Sequence, residues 1–182
     1  MPKSRAKIIS SKLIYQGKVF GVRHDHIIEP GGVKTTRDIV THSGSVVILP
    51  VLPDGRILLV RQFRYCANNF LLELVAGRME PGEKPIQAAR RELAEETGYR
   101  AKRFVQMLDV YPTPGFVKER MFVFAAMRLT PGKTKFDDDE RIEPRPFTLK
   151  VLLQMIHRGK IHDAKSVAGI LYYSRFIASI GK

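Results

Sequence analysis

Gly77-Arg78-Met79-Glu80-Pro81-Gly82-Glu83 and, eight residues beyond Glu83, Arg91-Glu92-Leu93-Ala94-Glu95-Glu96-Thr97-Gly98 are the stretch on which the reading of this chain turns. Pro85 suits a first helical turn, good helix formers run on from it, and Gly98 is a terminator, so a helix is predicted over Pro85–Thr97. At roughly 100° of rotation per residue, Ile86, Ala89 and Leu93 share one face, which should pack on a sheet. Glu92 and Glu96 are four apart and Glu95 lies three from Glu92, so three carboxylates point to one neighbouring face. Like charges at that spacing repel. A hard divalent cation removes the repulsion; magnesium takes oxygen ligands, keeps several waters and bridges carboxylates to substrate phosphates. An isolated Glu-x-x-Glu-Glu reads more readily as an exposed helix neutralised by neighbours such as Arg90 and Arg91. The flanking glycines and charges reverse that preference.

Working outward, residues 11–29 and 33–42 alternate like half-buried strands, with Gly31-Gly32 as a hairpin signal between them. Val46–Leu49 and Ile57–Val60 are continuously apolar and are separated by Asp54-Gly55, which predicts two core strands joined by a tight turn. A further apolar run, Phe70–Ala76, stops at Gly77. Beyond the helix, strand-like runs return at Phe104–Val110 and Met121–Met127, and an acidic turn follows at Asp137–Glu140. Thr148–Arg158 and Ala164–Ile180 read as two further helices. Strands with helices on either side make an α+β, sandwich-like domain.

The bulk composition excludes several classes. With 44% hydrophobic and 27% charged residues in 182, the chain is an ordinary globular protein rather than a disordered one. One cysteine, Cys66, rules out an internal disulfide and a Cys-rich zinc site. No signal-peptide core or membrane-length apolar run is present, so no membrane association is expected and the cytoplasm is the default location. The net charge of +13 favours polyanions, nucleic acid first, but the basic residues are scattered from Lys3 to Lys182 without a stripe. A small phosphorylated substrate is attracted equally well.

The opening stretch resembles the Nudix box: a Gly, then a Glu, then Arg-Glu-apolar-any-Glu-Glu-any-Gly at fixed spacing. Every charged and glycine position matches; Tyr99 stands where an aliphatic residue is usual, a matter of packing rather than chemistry. The resemblance implies a Nudix α/β/α sandwich with a mixed sheet over residues 43–182. The resemblance further implies that a small N-terminal antiparallel β extension, residues 1–42, precedes that domain and lies across a partner in a homodimer. It also implies hydrolysis of a diphosphate bond with magnesium or manganese as cofactor. The metal ligands and catalytic carboxylates carried over are Glu92, Glu95 and Glu96, assisted by the backbone carbonyl of Ala76. Glu83 and Arg91 would pair and shape the loop. No covalent nucleophile is needed, which leaves Cys66 without a role.

Over about residues 13–178 the chain is further similar to the ADP-ribose pyrophosphatase branch of nucleoside diphosphate sugar hydrolases. The matching stretches are Arg61-Gln62-Phe63-Arg64-Tyr65, Glu73-Leu74-Val75-Ala76-Gly77, Tyr111-Pro112-Thr113-Pro114-Gly115-Phe116 and Gly159-Lys160-Ile161-His162-Asp163-Ala164-Lys165. Val75 departs from the branch's usual proline, and Thr113 from its usual serine. The resemblance implies a nucleoside diphosphate sugar substrate, foremost ADP-ribose cut to AMP and ribose 5-phosphate, with GDP-mannose or another nucleotide sugar as the alternative. Glu119 would bind the terminal ribose hydroxyls. Arg37, Asp38 and Arg64 would contact base and phosphates, partly across the homodimer. Pro112 and Pro114 flank a stiff turn ending in Gly115, which either lines the pocket, Pro114 being the branch's substrate marker, or is a plain rigid turn. Phe20 either stacks on the base or is a core residue. Glu140, with Asp138 second, would be the general base. An RNA-binding or RNA 5′-end-processing role is the alternative of another class. The intact carboxylates and the flanking stretches speak against it.

Overall fold

The computed structural model describes residues 5–132 and 142–178. Asp138 and Glu140 therefore lie outside the described residues. In chain order the elements are β1 (Lys7–Gln16), β2 (Gly21–Ile28), β3 (Lys34–Thr41), β4 (Ser45–Pro50), β5 (Ile57–Arg64), β6 (Asn69–Glu73) and β7 (Val75–Arg78). Helix α1 (Pro85–Thr97) follows, then β8 (Tyr99–Val110), β9 (Val117–Lys118), β10 (Met121–Pro131), β11 (Ile142–Phe147), α2 (Leu149–His157) and α3 (Ala164–Tyr172). Their contacts divide the chain into two compact units: Met1–Gly44 with Tyr111–Arg120, and Ser45–Val110 with Met121–Lys182.

The first unit is a sheet of order β1-β2-β3-β9, in which β1 to β3 form an antiparallel meander and β9 adds parallel to β3. The turn at Gly31-Gly32 joins β2 to β3, where the glycine pair predicted it. Alternation holds along β2, which buries Gly21, Asp25 and Ile27. The charge on Asp25 is accommodated by Ser11 Oγ and Arg23 Nη2, each donating at 2.6 Å. The expectation of half-buried strands fails for β1, whose ten residues are all exposed, Ile8, Ile9, Leu13 and Ile14 among them.

The second unit is built on a mixed sheet, β7-β4-β10-β8, with β4 and β10 parallel and the outer pairs antiparallel. An antiparallel sheet, β11-β5-β6, accompanies it. Strand β4 shows how the layers arise. Its residues alternate between two cores: Val46 and Ile48 pack with Ala88, Ala89 and Leu93 of α1, while Val47 and Leu49 pack with Leu152 of α2 and Ile170 of α3. Both faces of the strand are covered, so a continuous apolar run rather than a two-residue period is what its sequence shows. The result is the α+β sandwich with a mixed sheet between helices. The run Phe70–Ala76, in contrast, is not one strand. It breaks at Leu74, sending β6 to one sheet and β7 to the other. No helix among the described residues is long and apolar enough to cross a membrane.

Candidate active site

Helix α1 occupies the predicted residues, and its ends explain why. The Gln87 side chain accepts from the Lys84 N–H at 2.9 Å, and Pro85 follows in the first turn, where its missing N–H has no bond to lose. Gly98 adopts a left-handed φ of 72° and returns its N–H to the Ala94 carbonyl at 2.9 Å, closing the helix. Ala89 and Leu93 are fully buried and Ile86 packs beside them. That fixes the rotation of the helix and sets Glu92, Glu95 and Glu96 on the adjoining face. Glu96 is 4% exposed, whereas Glu95 is the most open of the three, with 40% of its side chain exposed.

Strand β7 supplies the other wall. Gly77 lies directly beneath Glu92: a Cβ at residue 77 would stand 1.8 Å from Glu92 Cδ and 2.0 and 2.2 Å from its two oxygens. The glycine of the box is thus an absence of side chain that lets a carboxylate lie against the Ala76–Gly77 peptide.

Arg91 ties the loop to the helix. Its Nε and Nη2 donate to the two Glu83 oxygens at 3.1 and 2.9 Å, and Nη2 also reaches the Arg78 carbonyl at 2.9 Å. Its Nη1 donates to Glu92 at 2.7 Å and Glu95 at 3.1 Å. The hydrogen bonds from Arg91 hold the Glu83 carboxyl below its ordinary value, despite some burial, and the same carboxylates push the Arg91 guanidinium up. The pairing of Glu83 with Arg91 is as the sequence led one to expect. That Arg91 also bridges two of the box glutamates was not foreseen.

The donor set fits a hard divalent cation: three carboxylates on one helix face, a backbone carbonyl beside Gly77, and no sulfur. As the side chains stand, Glu92 and Glu95 turn toward Arg91. Among the described residues no three His, Cys, Asp or Glu side chains converge in ligating geometry. Arg91 Nη1 balances part of the acidic charge in that arrangement, and it engages one oxygen of each carboxylate, Oε1 of Glu92 and Oε2 of Glu95.

Arg64 ends β5 and is held by a group that sequence reasoning missed. Glu73, 1% exposed, accepts from Arg64 Nε and Nη2 at 2.8 Å each and from Lys165 Nζ. Burial, the largest single influence, raises the Glu73 carboxyl, but the hydrogen bonds and charges of Arg64 and Lys165 together outweigh it and leave it below its ordinary value. Arg64 is raised chiefly by its bonds to Glu73 against the pull of burial, and the charge of Glu96 is felt as well. The missed signal was a glutamate inside an otherwise apolar run, which calls for a buried cation partner.

In the first unit, Arg37 and Asp38 are consecutive on β3 and so face opposite ways. Arg37 donates to Glu29 at 2.6 Å, and Asp38 pairs with His24 at 2.6 Å. Glu119 lies 3.7 Å from His42 Nδ1. Pro114 and Gly115 sit in a turn closed by the Val117 N–H donating to the Thr113 carbonyl at 3.0 Å. Phe20 is 43% exposed, its ring 5.8 Å from that of Tyr15, so it is not a core residue.

The sandwich, the glutamate-bearing α1 and the glycine beneath Glu92 are those of a Nudix domain, whose family model matches residues 41–168. The chain belongs to the Nudix hydrolase family. It is 36% identical over 174 residues to an ADP-ribose pyrophosphatase of Bacillus subtilis (strain 168), covering 94% of each chain. It is 32% identical over 168 residues to a methanol dehydrogenase activator of Bacillus methanolicus, covering 91% of each. Its fold matches the crystal structure of an ADP compounds hydrolase with a TM-score of 0.82 at 20% identity, covering 97% of this chain and 96% of that one.

Proposed function

We propose that this protein is a magnesium- or manganese-dependent hydrolase of nucleoside diphosphate sugars, with ADP-ribose as its preferred substrate and AMP and ribose 5-phosphate as products. The observation that carries the reading is the placement of Glu92, Glu95 and Glu96 on one face of α1, with Glu92 resting on Gly77. Similarity along nearly the whole chain to an ADP-ribose pyrophosphatase supports the choice of substrate.

In this reading Glu92, Glu95, Glu96 and the Ala76 carbonyl would hold the cation, which would supply neutralisation of the diphosphate oxygens and activation of the attacking water as a nucleophile. Arg91 keeps the loop closed on the helix through Glu83 and the Arg78 carbonyl. Arg64 donates to the diphosphate. Glu119 accepts from the terminal ribose hydroxyls, Arg37 and Asp38 contact the base and phosphates, Phe20 stacks on the base, and the Pro114-Gly115 turn shapes the pocket wall. Water adds to one phosphorus, the bridging P–O bond breaks, and the water proton passes to Glu140, with Asp138 as the second choice. We place the active protein in the cytoplasm as a homodimer joined through its N-terminal strands.

Product analysis over ADP-ribose, GDP-mannose, other nucleotide sugars and capped RNA tests the reading. With magnesium, ADP-ribose should be cleaved with the highest kcat/KM, label from heavy-oxygen water should enter one product only, and Glu96→Gln should be slower by orders of magnitude. Preference for GDP-mannose would overturn ADP-ribose as the substrate. Preference for capped RNA would overturn the nucleotide-sugar class, and cleavage of nothing on the panel would overturn both.

A further inference from the structure

We propose that Glu73, backed by Lys165, is a positioning residue that fixes the Arg64 guanidinium so that one nitrogen remains available to the substrate diphosphate. The inference rests on the reading of Arg64 as a diphosphate ligand and adds what orients it.

The geometry is specific. Glu73 takes Arg64 side-on, through Nε and Nη2, so the plane of the guanidinium is set by two bonds rather than one. Nη1 is left over, and it donates to no protein atom among the described residues. Arg64 keeps 41% of its side chain exposed while Glu73 keeps 2%, so the pair presents a cation to solvent from an anion that solvent cannot reach. A lysine could occupy the same place but would offer a rotating point charge rather than a fixed fork.

Stability alone does not account for a carboxylate so deeply buried, since a buried ion pair is often no more stable than an apolar replacement. The rest of the network makes sense as support for one orientation. Lys165 stands in the first turn of α3, where the helix dipole disfavours a cation, yet it bonds Glu73 and also Asp163 at 2.9 Å. Asp163 caps the same helix by accepting from the Ser166 N–H at 3.1 Å, and from its hydroxyl. Ser166 Oγ in turn accepts the Leu74 N–H at 2.7 Å, at the break between β6 and β7. The Asp163–Ser166 stretch, which the metal chemistry does not use, thereby latches α3 to the backbone beside Glu73 through Ser166. Two residues beyond Leu74 is Ala76, so one network holds both Arg64 and the strand that carries the box glycine.

Glu73→Gln preserves shape and removes the charge, and Arg64→Lys serves as a second variant that leaves the carboxylate in place and paired. Each should raise KM for ADP-ribose at least tenfold with a smaller change in kcat. Glu73→Gln added to Arg64→Ala should do no further harm, because the two act as one unit. By nuclear magnetic resonance, the Arg64 Nε–H should exchange slowly in the wild type and rapidly in Glu73→Gln. A normal KM in Glu73→Gln or Arg64→Lys, or additive effects in the double variant, would overturn the proposal while leaving the hydrolase reading intact. If no nucleotide sugar is cleaved, the hydrolase reading fails by itself. The exchange rate still decides whether Glu73 fixes Arg64, and an Nε–H equally protected in both proteins would refute it.

Discussion

Replacing Gly77 with alanine separates the catalytic arrangement from the stability of the fold. The new Cβ would stand 1.8 Å from Glu92 Cδ, whereas carbon atoms in ordinary contact are about 3.5 Å apart, so the carboxylate must retreat by about 1.7 Å (3.5 less 1.8). The atoms displaced are the far end of a flexible side chain, and Gly77 does not have a positive φ that an alanine would resist. The protein should therefore fold, with an unfolding free energy within about 1 kcal/mol of wild type, since the lost chain entropy of glycine offsets part of the strain. Catalysis should suffer more: a misplacement of about 1 Å at a reacting centre is worth on the order of 10²-fold in rate. The assay is kcat/KM for ADP-ribose at saturating magnesium, beside urea unfolding. Turnover within threefold of wild type would show that the position of Glu92 over the Gly77 backbone does not matter to the reaction.

Three further outcomes are expected. Arg91→Lys keeps the charge but cannot chelate Glu83 and reach Arg78 and Glu92 together, and should lose about 2 kcal/mol of stability in urea unfolding; wild-type stability would deny Arg91 its structural part. Because the Glu73 carboxyl is held below its ordinary value, its ionised form contributes stability that is fully present above the unfolded value near pH 4.3, and that is lost as pH falls through the lower folded value. The stability gap between wild type and Glu73→Gln should accordingly narrow below about pH 4 in acid titrations of unfolding, and a gap that widened there would contradict the sign. Sedimentation at micromolar concentration should give a dimer, and Ile8→Glu with Leu13→Glu on the exposed β1 should give a monomer; a fully active wild-type monomer would refute the assembly.

The parts legible in the sequence were those set by short-range chemistry. The limits of α1 follow from Pro85 and Gly98, and the two core strands around Asp54-Gly55 follow from apolar runs broken by a turn. What escaped was decided at long range. Little in Phe70–Ala76 marks Leu74 as the point where the chain changes sheets, because a run that is apolar at nearly every position has no two-residue period to interrupt. Strand β11 carries Pro144 and Pro146, which argue against a strand, and it exists because an edge position opposite β5 tolerates them. β1 looked half-buried because its apolar residues resemble those of a strand with a neighbour on each side. In the candidate site, the box glutamates were legible as a set, but the second partners of Arg91 and the cations on Glu73 depend on residues up to 92 positions apart.

Pairing of Val40 with Val117 means that the N-terminal sheet cannot be completed from N-terminal sequence. β1, β2 and β3 are joined by short turns and can assemble as soon as they leave the ribosome, but the last strand of their sheet lies 77 residues further along. At synthesis rates of roughly 5–20 residues per second that gap lasts roughly 4–15 s. Throughout it, the Val40–Thr41 end of the outer β3 edge, the part that β9 later pairs, offers its N–H and C=O groups to any other nascent chain on the same polysome. Fast elongation or a chaperone on this edge should therefore raise the yield of soluble protein, whereas slow codons between Gly44 and Val117 should lower it.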